Sequence, residues 1–594
     1  MALALLQTDR PLPDMTRFKR FSAMALGIGF VLVMSPLPSN SQAPGTISVV
    51  FPTRLAAAPD YATEVLGDPW DMCNPEDMSL RPDERLGFSS FSFLTGPCRA
   101  GGTTMAVNGG NDSSVMMLSP GLYDVALNPG RNGRNFPIDS SKYQVMSIKL
   151  NSNATDDPQI WWFHNPVNYP SGIALGGRAA PRTSPGTQII VADLTQSLAT
   201  GFSPWTSGVV RGLRIDPNAL NAVENVFFYW VRLTPAASSG LAAKQTITWN
   251  GSGAATITVR DNSDGTVFPV ISNLSANSYL WNYGVLAPGS YTLTVTNASG
   301  SGSAAFTINN PPRIEVTNPS PTSGDDYATT VLGNAWDMNS GTDIQLTGLD
   351  NLTNVSFSGG VLHATNTTAD PIVTLLYNTN NSQPIDTSRF RYLTYRLQVD
   401  GPYDLLTGSV ARVIWSSQVS SPAAISQDVI VVPGMNSYTV DLAPLSTAPD
   451  GGLEPAGAAE TWTAAPKRYL RIDPHEFPTA RTFHIDDVKL TAKPIAATTF
   501  TVRFVGTDAD ADATTVSLYY DADTNAGNGK TLIASNIPAS SGQFVWNTSV
   551  VPRGEYYIYA EASDGIQVIG RYSTVPVVLN SPPQTPTGLR FVPR

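Results

Sequence analysis

Short runs of alternating apolar and polar residues dominate this chain. Residues 144–150 (Gln-Val-Met-Ser-Ile-Lys-Leu), 290–295 (Ser-Tyr-Thr-Leu-Thr-Val) and 499–504 (Thr-Phe-Thr-Val-Arg-Phe) are rich in β-branched and aromatic side chains, and 428–432 (Asp-Val-Ile-Val-Val) is a short apolar run. A period of two sends one set of side chains to a core and the other to water, as in a half-buried strand. Helical periodicity with capping signals is nearly absent, so the pattern predicts an all-β protein.

The pattern also repeats at the scale of whole domains. Residues 60–72, Asp-Tyr-Ala-Thr-Glu-Val-Leu-Gly-Asp-Pro-Trp-Asp-Met, return with three changes at 326–338 as Asp-Tyr-Ala-Thr-Thr-Val-Leu-Gly-Asn-Ala-Trp-Asp-Met. Further anchors follow in the same order: 137–143 against 384–390, Trp162 against Trp415, and Leu-Arg-Ile-Asp-Pro at 213–217 and 470–474. A unit this long marks duplicated domains rather than a solenoid. The segments after each copy match as well, Trp281, Asn282, Val285, Gly289 and Tyr291 sharing their spacing with Trp546, Asn547, Val550, Gly554 and Tyr556.

The order is therefore A1-B1-A2-B2. The expected boundaries are A1 at 60–236, B1 at 237–312, A2 at 325–492 and B2 at 493–580, with linkers at 44–59 and 313–324 and a tail at 581–594. Prolines at 311–312 and 582–583 mark the joints, since proline fixes φ and withholds a backbone donor. Four domains suit a chain of 594 residues.

Charge narrows the partners. Only 14% of residues are charged and the formal net charge is −11, which gives no electrostatic attraction for nucleic acid or anionic lipid. Arg17, Lys19 and Arg20 precede an apolar stretch at 21–34, followed by Ser41, Gln42 and Ala43. This is the layout of a secretory signal peptide over 1–43, with Met15 as an alternative start and the alanines at 56–58 as an alternative cleavage site. The stretch is shorter than the about 20 residues of a membrane span; an uncleaved N-terminal anchor is the alternative, and the only membrane contact expected. The expected location is extracellular or at the cell surface. There, Cys73 and Cys98 form a disulfide closing a loop of about 25 residues, which constrains the unfolded chain. A two-cysteine zinc site is the weaker reading, because no histidine lies near them in sequence.

The end of A2 at 481–491, Arg-Thr-Phe-His-Ile-Asp-Asp-Val-Lys-Leu-Thr, resembles the last strand of the jelly-roll carbohydrate-binding modules of bacterial secreted proteins. The matching stretch of A1, 226–233, carries aromatics where A2 has Asp486 and Asp487. The resemblance implies a jelly-roll β-sandwich for each A unit, a polysaccharide or cell-surface glycan as partner, and a structural calcium held by acids near this strand, in A2 alone. An arginine such as Arg471, or solvent, is the alternative partner of those acids. The B units resemble the immunoglobulin-like and fibronectin type III-like domains of bacterial extracellular proteins, with Trp546 and Tyr556 as core and corner residues. Residues 586–590 resemble the opening strand of a further fibronectin-like module. The expected fold is tandem β-sandwiches, two jelly-roll-like units alternating with two Ig-like ones.

Asp521, Asp523 and Asn525 begin like a calcium loop, yet the sixth and twelfth positions are Ala526 and Leu532, which no EF-hand uses. Ordinary Asx turns explain them equally. Sugar recognition needs an exposed aromatic face flanked by amide, carboxylate or guanidinium groups. Trp70, Trp336, Trp162 and Trp415 occur in both copies, which marks them as core. The candidates outside the repeat skeleton are Trp161, His164, Asn165, Tyr169 and Trp205 in A1, and Tyr377, Tyr403 and Trp462 in A2.

Catalytic signatures are lacking: the four histidines show no metal-ligand spacing, and no nucleophile elbow, phosphate loop or dinucleotide fingerprint occurs. Asp156, Asp157 and Glu224 are loop acids that a glycosidase could assemble in space. The expected function is non-catalytic polysaccharide binding needing no cofactor beyond structural calcium. The alternatives are a self-associating adhesin or cell-envelope layer, and a polysaccharide hydrolase.

Overall fold

The A units each fold from their alternating runs into two facing sheets. In A1 the larger sheet runs in the order Gly186–Asp193, Val145–Ser152, Asn225–Thr234, Cys98–Thr104, Phe88–Thr95, and the smaller in the order Ser113–Met116, Gly212–Asn218, Gln159–Phe163, Gly176–Ala179. A2 repeats this with a larger sheet of Leu352–Ser358, Val361–Asn366, Thr482–Ala492, Phe390–Val399 and Asn436–Asp441. Its smaller sheet contains Val373–Tyr377, Tyr469–Asp473, Val410–Ser416 and Ala424–Ile425. The molecule is a set of tandem β-sandwiches. This is a computed structural model, and it describes residues 45–579 apart from 74–76, 78–87, 105–112, 117–137, 164–175, 180, 197–202, 209, 211, 219–222, 347–349, 402–409, 420–423, 427–428, 432–433 and 444–459. The expected signal peptide and the 581–594 tail lie outside the described residues. Among the described residues no helix is long and apolar enough to cross a membrane.

The most strongly repeated sentence turns out to be a clasp. Thr63 donates from its backbone N–H and its hydroxyl to Asp60 Oδ2, while the Leu233 N–H on the last strand donates to Asp60 Oδ1 at 2.9 Å. Thr329, Asp326 and Leu490 repeat the arrangement in A2. The single carboxylate thus ties the opening turn to the closing strand. Gly67 and Gly333 end the two turns in the left-handed conformation, at φ 82° and 73°, which glycine adopts without a Cβ penalty. Tyr61 packs on Trp70 and Tyr327 on Trp336, and the carbonyls of both tryptophans accept from the last strand. The repetition therefore records a folding requirement.

The segments expected as linkers carry strands. Val49–Val50 pairs antiparallel with Lys244–Trp249, and Arg54–Leu55 pairs parallel with Gly300–Ile308. Likewise Arg313–Asn318 pairs antiparallel with Thr499–Thr507. B1 thus takes short strands, and B2 one strand, from before its A unit and the remainder from after it, so each A unit is an insertion in a B unit. Before A1 the physical reason for the difference lies in length: two-residue strands leave no period to read. Ile314 and Val316 alternate with polar neighbours and fill the B2 core.

Asp510 and Asp512 of B2 ion-pair with Arg54, and Asn310 donates to Asp510. Arg571 of B2 donates to the carbonyls of Thr63 and Val65 in A1. The two halves of the chain are therefore hydrogen-bonded together. Cys73 and Cys98 form the expected disulfide, with Cα atoms 4.7 Å apart.

Candidate functional site

The outer face of the smaller A2 sheet gathers chemistry that a core does not need. Along Tyr469–Asp473, Leu470 and Ile472 point into the sandwich, so Arg471 and Asp473 point out, two residues apart on one face. Arg471 Nη2 donates to Asp473 Oδ2 at 2.8 Å. Asp473 is only 2% exposed, and burial pushes its carboxyl up to about 7 against the pull of Arg471. Its Oδ1 has no hydrogen-bond partner, nor has Oγ1 of buried Thr374, which sits opposite Arg471 on the neighbouring strand. Arg412, opposite Asp473, ion-pairs with Glu476 at 3.0 Å. Tyr377 and Tyr469 close the strip edge to face, ring centroids 6.0 Å apart, with Tyr377 37% exposed.

A1 builds a variant of the same face. Arg214 and Asp216 form the matching pair at 2.7 Å. Between buried Ile160 and Trp162, Trp161 points out and is half-buried, with the Arg214 guanidinium 5.7 Å from its ring centroid. Its counterpart in A2 is Ile414, opposite Arg471. The two faces share the ion pair but differ in the aromatic: a tryptophan platform in A1, a tyrosine pair in A2.

Two of the expected ligand aromatics are corrected by the structure. Trp205 and Trp462 are 0% and 1% exposed, so neither face can stack on a sugar. They are repeat partners after all: each opens a short 3-10 turn, donates its indole N–H to a backbone carbonyl (Tyr143 and Phe390), and packs edge-on against Trp162 or Trp415. His164, Asn165, Tyr169 and Tyr403 lie outside the described residues. The Leu-Arg-Ile-Asp-Pro anchors were visible in the sequence; a charged pair two residues apart inside an apolar strand was the available signal that they face outward.

The expected calcium ligands each have a protein partner in this structure. Asp486 pairs with Arg396, and Asp487 pairs with Lys489 at 2.9 Å. The two do not simply alternate faces, because a bulge interrupts pairing here and Asp487 has φ 45°. Asp521 accepts from the Tyr572 hydroxyl, and Asp523 and Asn525 accept from backbone N–H groups two residues on, as Asx turns do. Asp508, Asp510 and Asp512 are the one cluster of three acids among the described residues that is close enough to share an ion; Arg54 ion-pairs with two of them.

The loop acids of A1 are similarly engaged. Glu224 is buried, accepts from the Ser152 hydroxyl at 2.6 Å, and is pushed up to about 7 by burial. Asp156 accepts from the Asp157 N–H, and Asp157 pairs with Arg182.

No family model matches the chain, and no curated protein matches it. Among solved structures it is similar to the tandem CBM22 domains of Paenibacillus barcinonensis Xyn10C at 8% identity, covering 74% of this chain and 100% of that one, with a TM-score of 0.16. SGBP-B from a Bacteroides uniformis xyloglucan utilization locus aligns at 12% identity over 66% and 98%, with a TM-score of 0.15. For an endo-β-1,4-mannanase from Thermotoga petrophila the identity is 14%, the chain spans 19% of that protein and 16% of itself, and the TM-score is 0.12. Scores this low carry no argument about what the chain does.

Proposed function

We propose that this is a secreted or cell-surface, non-catalytic protein that binds polysaccharide through the outer faces of the smaller A1 and A2 sheets. The observation that carries the reading is the exposed Tyr377 ring packed edge to face on Tyr469, on the same outward face as the Arg471–Asp473 pair. The rings supply a stacking surface, and the guanidinium is a donor for sugar hydroxyls. The disulfide supports an oxidising location. Two weak sites on one chain gain avidity through effective concentration.

The test is retention of the full chain on a panel of immobilised polysaccharides. Tyr377→Ala and Trp161→Ala should each weaken binding about tenfold on the retained polysaccharide. Passage of the folded wild-type protein through every matrix overturns the proposal.

A further inference from the structure

The larger A2 sheet carries a second arrangement on its outer face, independent of the polysaccharide reading. His363 on Val361–Asn366 and His484 on Thr482–Ala492 are directly opposite in register. Both rings are half-buried, their centroids are 4.8 Å apart, and their Nδ1 atoms face each other at 2.7 Å. The outward nitrogens are held as well: His363 Nε2 lies 2.9 Å from the Ser358 hydroxyl, and His484 Nε2 lies 3.3 Å from Asp400 Oδ2. A carboxylate or hydroxyl on the far nitrogen is the outer support that fixes the ring orientation of metal-ligating histidines.

We propose that His363 and His484 bind a late first-row divalent cation, Cu2+ or Ni2+, through their two Nδ1 atoms. Only one proton can lie between the facing nitrogens, and the Asp400 carboxylate accepts from His484 Nε2–H, which leaves a lone pair on His484 Nδ1. Rotation of the Ser358 hydroxyl to accept from His363 Nε2–H frees the second lone pair. Imidazole affinity selects the ion, rising along the first-row divalent series to Ni2+ and Cu2+. Two nitrogens about 2.0 Å from a metal lie about 2.8 Å apart at a right angle, so an ion that replaces the shared proton needs the rings to turn towards it with little separation of the strands. Asp486 on the same face is already paired with Arg396, so water completes the coordination.

The pairing is particular to A2. In A1 the residues at these register positions are Gly101 and Phe227, the latter with the Arg99 guanidinium 5.0 Å from its ring centroid.

The test is titration of the full chain with Cu2+ and Ni2+, followed by calorimetry and by the electron paramagnetic resonance of bound Cu2+. One saturable ion per chain with nitrogen hyperfine structure is expected, together with at least tenfold weaker binding in His363→Ala and in His484→Ala. His363→Gln/His484→Gln keeps polar side chains at both positions and serves as the second variant; it should retain the wild-type melting temperature and lose the nitrogen signal. Absence of saturable binding by the wild type, or a nitrogen signal that survives in this folded double variant, overturns the proposal.

Discussion

The outer face of the larger sheet is covered in one copy and partly open in the other, where Tyr392 and Thr394 are buried but Arg396 is exposed. In A1, Val145, Ile189 and Val191 on this face join Trp230 in packing against the B1 core. Lys149, its side chain 5% exposed, reaches across to Asp261 and Asp264 of B1 at 2.8 and 2.9 Å. The A2 counterparts of Ile189, Val191 and Lys149 are Ser437, Thr439 and Arg396. There Thr439 shares a hydroxyl contact of 2.8 Å with Thr394, and Arg396 remains largely exposed beside Asp486. The two copies keep the same clasp, bulge and tryptophan pair, and differ on the surfaces they present. Duplication preserved what folds the sandwich and left each outer face free to become a joint or a site.

The sharpest test of the shared interior is the buried pair of indoles. Trp205→Ala and Trp462→Ala should each destabilise their own unit by about 3–5 kcal/mol. Urea melts following each unit measure this, and a cost under about 1 kcal/mol in one copy would break the equivalence.

The joint is tested by its charges. Lys149→Ala leaves Asp261 buried without its cation and should cost about 3–5 kcal/mol, whereas Arg396→Ala removes an exposed partner and should cost about 1 kcal/mol or less. Equal losses in the two melts would show that the A2 face is covered in solution.

Reduction separates the copies next. Opening Cys73–Cys98 should cost A1 about 3 kcal/mol, while A2, which has no cysteine, should melt at the same temperature with and without reductant.

The smallest effects are those of pH, and in A2 two buried groups set them. The Asp473 carboxyl is raised to about 7 by burial, so the folded state binds its proton more tightly than the unfolded chain does. That contribution is fully present below the ordinary carboxylate range and is lost as pH rises through about 7. His475 acts in the opposite sense: burial lowers it to about 4, so its neutral form supports the fold above the ordinary histidine value and is lost as pH falls towards 4. In the wild type the two slopes oppose each other between pH 4 and 7. Asp473→Asn should make A2 measurably more acid-labile across that window; a melting curve with unchanged pH dependence would remove Asp473 from the account.

Much of the interior was legible because its signals are local. Period-two runs, the repeated opening sentence and the lone cysteine pair all led to correct statements about strands, duplication and the disulfide. Trp205 and Trp462 were misread because the segments before them differ in length, placing them 43 and 47 residues after Trp162 and Trp415. That offset hides a partnership which the edge-on indole pairs make plain. Asp486 and Asp487 were misplaced relative to one another because a bulge cannot be read from alternation alone.

The sequence by itself determined that this is an all-β, duplicated, disulfide-bearing chain, since strand alternation and repeated anchors are properties of neighbouring residues. Tertiary structure alone decided that each A unit interrupts a B unit, that Lys149 is buried in a joint while Arg396 is not, and that His363 meets His484. These outcomes depend on pairings between distant segments, 121 residues apart for the two histidines and 253 for Arg54 with Thr307. Backbone hydrogen bonds between strands are indifferent to side-chain identity. Which strands pair, and which face is left open, is therefore set by how apolar surfaces of the whole fold bury one another.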